Sequence, residues 1–170
     1  MNFIKKIKTR KTMDKFLEEF TQEKRKISKL LAPARNAYWI HYEPYLANDI
    51  AEIDYKSIHS SLDEAIGKVE PFQSQIKNLK DFYYSNYSAF KQEHHDAMSG
   101  LNVRLAQVYD DIHSLIINFN SLEFRNTDSC INEVITHLKK LQTCYCGLLE
   151  DCGINVPDLE ITSKEKTNEL

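Results

Sequence analysis

The chain has 170 residues, 42% of them hydrophobic and 28% charged, with a formal net charge of -3 at pH 7. That length is enough for one domain with its own core, and only four glycines and four prolines disfavour turn-rich β architectures and glycine-built phosphate loops. No apolar run approaches the roughly 20 residues that span a bilayer, and the first residues hold too few apolar positions for a secretory signal, so a cytoplasmic, all-helical protein is expected.

Taken in chain order, residues 1–11 read as a basic, poorly ordered lead-in carrying Lys5, Lys6, Lys8, Arg10 and Lys11. Thr12 is the expected N-cap of a first long helix, in which Met13, Phe16, Leu17, Phe20, Ile27, Leu30 and Leu31 recur mostly at steps of three and four. Pro33 stops that helix or opens the next, which is expected over residues 33–42 and ends before Pro44. Residues 45–55 fit either a short helix or an ordered loop. Residues 57–69 read as a short amphipathic helix through Ile58, Leu62, Ala65, Ile66 and Val69.

Pro71 is then expected to open a separate long helix over about residues 72–98, with His94 on its apolar stripe. After a turn at Ser99 and Gly100 comes the cleanest pattern, Leu105, Val108, Ile112, Leu115, Phe119 and Leu122, a heptad-like seam for a bundle partner. Residues 126–128 make a turn. A broad face from Ile131 to Leu149 marks the last helix, capped near Gly153. The expected architecture is therefore all-α, a four- to five-helix, largely antiparallel bundle over residues 12–153, with a disordered tail at 154–170.

Chemistry-bearing groups are few. Cys130, Cys144, Cys146 and Cys152 match no zinc spacing and read as reduced thiols. Of the six histidines, none has Glu three positions before it, as helical di-metal sites require. Asp110 with His113, and Glu133 with His137, are the nearest imitations, so neither metal nor cofactor is expected. The tyrosines around Tyr83 to Tyr87 read mainly as core.

Charge is uneven: residues 1–31 hold ten Lys and Arg against four acids. Such a segment either is a solvated face or attracts a polyanion. Lys24, Arg25, Lys26, Lys29 and the aromatic Tyr42 are the candidate RNA contacts. Membrane-surface attachment through residues 1–11 is the weaker option, since Phe3, Ile4 and Ile7 are its only apolar positions after Met1.

One stretch combines type and spacing suggestive of catalysis: Arg35-Asn36-Ala37-Tyr38-Trp39-Ile40-His41-Tyr42. Metal-free RNA cleavage needs a base of near-neutral pKa at the ribose 2′-hydroxyl, which His supplies. It also needs a fixed cation for the phosphorane, which Arg supplies. Arg35-x5-His41, with polar Asn36 directly after the Arg, resembles the Arg-x4-6-His signature of HEPN domains. These are helical-bundle nucleotide-binding domains, many of them metal-independent endoribonucleases of prokaryotic defence and toxin–antitoxin systems. The resemblance covers about residues 30–70.

It implies His41 as general base or acid, Arg35 as phosphorane stabiliser, Asn36 as an orienter of the phosphate or the His, and a two-fold dimer around one RNA groove. The alternative from the residues alone is Arg35 stacked on Trp39 and His41 packed beside Tyr45, in a non-enzymatic interaction module such as an adaptor, inhibitor or immunity protein. RNA, a protein partner or a second copy of the chain are thus the expected partners.

Overall fold

The computed structural model describes residues 1–42, 53–123 and 129–156. Six helices carry these residues: α1 (Phe3–Leu30), α2 (Ala32–Tyr42), α3 (Tyr55–Ser85), α4 (Gln92–Ser99), α5 (Leu101–Glu123) and α6 (Ser129–Asp151). Among the described residues there is no strand. The long helices α1, α3, α5 and α6 pack as the expected bundle.

Side-chain contacts set the neighbour order. Phe20 stacks on Phe72 with centroids 5.5 Å apart, and Arg10 Nε donates to the Ala89 carbonyl at 2.7 Å, so α1 and α3 run antiparallel. Tyr145 on α6 donates its hydroxyl to the Leu105 carbonyl at 3.0 Å, while Gln142 meets His113 at 3.0 Å. These make α5 and α6 antiparallel. By contrast His59 faces His137 and Gln73 donates to Asp151, so α3 and α6 run in the same direction. Arg104 covers Phe20 and Lys24 donates to Gln107, which likewise aligns α5 with α1. Each long helix thus has one antiparallel and one parallel neighbour, a finer arrangement than a simple antiparallel seam.

The expected lead-in is helix instead. α1 begins at Phe3, with Asn2 as N-cap accepting from the Ile4 amide at 3.0 Å. Thr12 is no cap, because its hydroxyl donates to the Lys8 carbonyl within the helix at 3.1 Å. Nothing in residues 1–12 breaks a helix, and burial of Thr9 and Met13 ties the segment to the core.

The expected break at Pro71 is absent too: α3 is continuous from Tyr55 to Ser85 with Pro71 inside it. Its buried positions, Ile58, Leu62, Ala65, Val69, Phe72, Ile76, Leu79 and Tyr83, alternate by four and three straight through the proline. Pro71 is exposed, so the carbonyl of Gly67, deprived of its helical donor, faces water rather than the core.

The helix expected over residues 72–98 is instead interrupted after Ser85. Asn86 donates from its side chain to the Phe82 carbonyl at 3.0 Å, a short 3₁₀ turn spans Tyr87–Ala89, and Phe90 is extended. The new helix α4 is capped by His94, whose Nδ1 accepts from the Lys91 amide at 3.3 Å and whose Nε2 meets Asp14 at 3.0 Å.

At the far end Gly153 adopts a φ of 73° and the Ile154 amide closes on the Leu149 carbonyl at 2.9 Å, the glycine stop expected there. Ile154 and Val156 pack on the core rather than beginning a free tail. The expectations for Glu43–Pro44, for most of residues 45–55, for the turn at 126–128 and for residues 157–170 lie outside the described residues, as does a contact of His41 with Tyr45.

Candidate nucleic-acid interface

α2 is a short helix laid against α5 and α3. Its inner positions are Ala34 and Ala37, following buried Leu31. Small inner residues let the helix sit close, which leaves its larger residues at the margins and outside.

The three residues of the resemblance occupy different sides of this helix. Arg35 is exposed and its Nη2 lies 4.0 Å from Asp111 Oδ2 on α5. His41 is half-buried on the side of α3, where its Nε2 lies 2.6 Å from the Tyr55 hydroxyl. Asn36 is exposed at a shallow groove of about 180 Å³ shared with Ile40, Ile53, Asp54 and Ser57. α2 is regular helix throughout, and six residues of helix turn Arg35 and His41 about 120° apart around its axis. The chain by itself therefore does not point Arg35 and His41 at one phosphate.

The alternative placement of Arg35 on Trp39 is not what the structure has. The Trp39 ring meets Tyr38 and Tyr42, with centroids 5.7 Å and 6.1 Å away. Tyr38 also stacks on Tyr42 and rests against Phe119 of α5. Trp39 is 53% and Tyr42 50% exposed, so Tyr38 anchors a ledge whose other two rings remain open to solvent.

Of the four candidate cations on α1, the structure brings two together with a third that the sequence did not single out. Lys24, Arg25 and Arg104 line a groove of about 210 Å³ between α1 and α5, with Phe20, Thr21 and Ser28 completing it. Arg104 is fixed from two sides: Nη2 donates to the Ala97 carbonyl at 2.8 Å, and the guanidinium sits 5.2 Å above the Phe20 ring. Lys24 donates to Gln107 at 3.0 Å. No carboxylate lines this groove, so three positive charges face one solvent-open space. Lys26 instead pairs with Glu23 on its own helix, and Lys29 is exposed nearer the α1 terminus.

Arg104 gave no sequence signal, because a lone Arg beside the Leu101–Leu105 seam looks like any surface cation. Only the parallel packing of α5 on α1 brings it beside Lys24 and Arg25.

A recess of about 640 Å³ between α3 and the end of α6 is less one-sided, since it mixes Lys77 and Lys80 with Glu70, Asp81 and Asp151. Cys144, Cys146 and Cys152 are free thiols, as expected, and burial raises the pKa of Cys146 and Cys152. No helix among the described residues is long and apolar enough to cross a membrane. Comparison with protein-family models, with curated proteins and with solved structures finds no match to this chain.

Proposed function

We propose that the chain is an RNA-binding helical bundle, and that ribonuclease chemistry of the HEPN type is assembled on it from Arg35 of one copy and His41 of a second. The observation that carries the proposal is the carboxylate-free cationic groove of Lys24, Arg25 and Arg104. It shares the α1–α5 side of the bundle with the ion pair of Arg35 and Asp111. Preset cations at this density attract phosphates, and the half-exposed Trp39 and Tyr42 offer rings on which unpaired bases can stack.

The two-copy requirement follows from α2. Arg35 and His41 diverge on one helix, whereas a two-fold axis perpendicular to that helix and midway between them would set the Arg of one chain opposite the His of the other. At such a site His41 would take the proton of a ribose 2′-hydroxyl. The 2′-oxygen would then attack phosphorus and the P–O5′ bond would break, the departing oxygen taking up a proton. Arg35 would leave the long contact with Asp111 to neutralise the phosphorane, with Asn36 orienting the phosphate. The product would be a 2′,3′-cyclic phosphate, formed without a metal.

A second reading, a non-enzymatic protein-interaction module, is favoured by the same open ledge, since Trp and Tyr dominate binding hot spots. Titration of fluorescent single-stranded RNA across a salt series separates the two. The RNA reading expects Lys24→Glu/Arg25→Glu to weaken binding at least tenfold and to lower the salt slope of log K by about 1.4, at roughly 0.7 per phosphate contact. RNA affinity that is absent at low salt, or unchanged in that variant, would leave the interaction module as the better account.

A further inference from the structure

Helix α1 turns its apolar side chains in two directions. At about 100° per residue, the buried residues Thr9, Met13, Phe20 and Ile27 fall in one narrow arc that faces the bundle. Phe3, Ile4 and Ile7 fall in a second arc, whose centre is about 150° from the first. They therefore point away from the core, and they are 73%, 62% and 37% exposed, with Met1 at 56%. Phe3 is the most exposed large apolar side chain among the described residues. Single apolar side chains on a surface are ordinary, whereas neighbours at helical spacing make a patch.

Charge of one sign surrounds this patch. Lys5, Lys6, Lys8, Arg10 and Lys11 lie among and beside its residues, and no acid occurs before Asp14. Lys8 borders the apolar arc, and Lys11 stands in it one turn beyond Ile7. The first lysine or arginine of α1 paired to a carboxylate among the described residues is Lys15, with Glu19 at 3.8 Å. Arg10 instead donates to the Ala89 carbonyl, and together with Thr9 and Met13 it ties this end of the helix to the bundle. The Asn2 cap on the Ile4 amide closes the first turn. The patch is thus preformed, and no segment has to be ordered when it is covered.

The charge and the packing restrict what can cover it. A second copy on a two-fold axis would bring lysines of like charge together. RNA would engage the lysines and leave Ile4 and Ile7 in water. A groove on a protein closes around a helix, whereas the opposite flank of α1 is already held by the bundle. A flat surface with an apolar interior and negative charge at its edge meets both requirements, and an anionic bilayer is such a surface.

We propose that the first turns of α1 form a peripheral membrane-binding face. Phe3, Ile4 and Ile7 enter the boundary between headgroups and acyl chains, and Lys5, Lys8 and Lys11 reach anionic headgroups with their stems laid along the apolar arc. No helix among the described residues is long and apolar enough to cross a membrane, so the attachment is to one leaflet. Three or four apolar side chains hold no better than a single acyl chain does, which makes the lysines necessary as well. Lys24 stands about 25 Å further along the helix than Ile7, so this face is separate from the cationic groove. Composition alone could not place the patch, since its position opposite the buried stripe follows from a helix that already begins at Phe3.

Flotation of the full chain with lipid vesicles tests the proposal. With about 30% phosphatidylserine in phosphatidylcholine, half of the chain should float at about 100 μM accessible lipid or less, and pure phosphatidylcholine should bind at least tenfold more weakly. Raising salt from about 0.05 to 0.5 M should release the chain. Phe3→Ser/Ile4→Ser/Ile7→Ser and Lys5→Gln/Lys8→Gln/Lys11→Gln should each weaken flotation at least tenfold. All six side chains are exposed, so the Tm of both variants should stay within about 2 °C of the wild type. The comparison of vesicle compositions uses the wild type alone and stands whatever the variants do to folding. Equal flotation with both compositions, or none with anionic vesicles at low salt, would overturn the proposal. So would flotation that survives the serine variant, or a dimer that this variant dissolves without vesicles present. A glutamine variant that loses RNA affinity while floating like the wild type would assign the lysines to nucleic acid and overturn it too.

Discussion

At the scale of single residues, His94 shows how a polar side chain comes to lie in the core. It is 2% exposed, and its two nitrogens divide the work: one accepts from the Lys91 amide at the start of α4, the other meets Asp14 on α1. Since the amide can only donate, Nδ1 is the bare nitrogen and Nε2 carries the proton toward the carboxylate. His94→Ala removes the cap and leaves the Lys91 amide without that partner, so it should cost about 2 kcal/mol, read from the urea midpoint at unchanged m-value. The position of His94 on an apolar stripe already implied a hydrogen-bonded packing residue. What the stripe could not reveal is that a helix begins two residues earlier, at Gln92, because the cap is supplied by the His itself rather than by Ser, Thr, Asp or Asn.

Among the elements, α3 separates a strong sequence rule from a stronger one. Proline was read as a boundary, yet the four-and-three alternation of buried residues runs unbroken from Ile58 to Tyr83. Burial of eight side chains outweighs one lost backbone bond, provided that the orphan carbonyl reaches water, as exposure of Pro71 ensures. Pro71→Ala should restore that bond and raise stability by about 1–2 kcal/mol, visible as a higher thermal midpoint with the helix content nearly unchanged. A fall in stability would mean that the packing depends on the proline itself.

The start of α1 was misread for the opposite reason. Met1, Phe3, Ile4 and Ile7 are all exposed, so the stripe that betrays a helix begins only at Thr9 and Met13. For α2 the sequence located the helix and its end residues well, because Pro33 and Pro44 are local signals. The divergence of Arg35 from His41 was also legible in the helical angle between them. Their actual partners, Asp111 and Tyr55, were not, since those come from other elements.

For the molecule as a whole, periodicity disclosed which face of each helix is buried but not which helix covers it. The parallel neighbours α1–α5 and α3–α6 are properties of the assembled bundle. Both the Lys24–Arg25–Arg104 groove and the His59–His137 contact arise only from them. The assembled core also sets the response to alkali. Burial, more than the neighbouring Glu150, raises the Cys146 pKa above 9.0. Burial likewise raises Cys152, with Lys80 partly opposing it, and drives Tyr145 far above 10.0. The native chain therefore keeps protons that the unfolded chain releases, so stability should fall as pH rises past about 9 and fall faster past about 10. Urea midpoints between pH 8 and 11 check this, and Cys146→Ala should flatten the first part of the decline.

The same dependence on assembly extends to the proposed chemistry, in which neither Arg35 nor His41 suffices within its own chain. Mixing two individually inactive variants, Arg35→Ala and His41→Ala, tests this directly in an RNA cleavage assay run in EDTA. A mixed dimer retains one intact pair, the Arg of one chain with the His of the other. Random mixing should therefore restore about a quarter of the wild-type rate, with a cyclic phosphate at the new 3′ end. Wild-type protein that leaves RNA intact, or variants whose mixture stays as inactive as each alone, would contradict it.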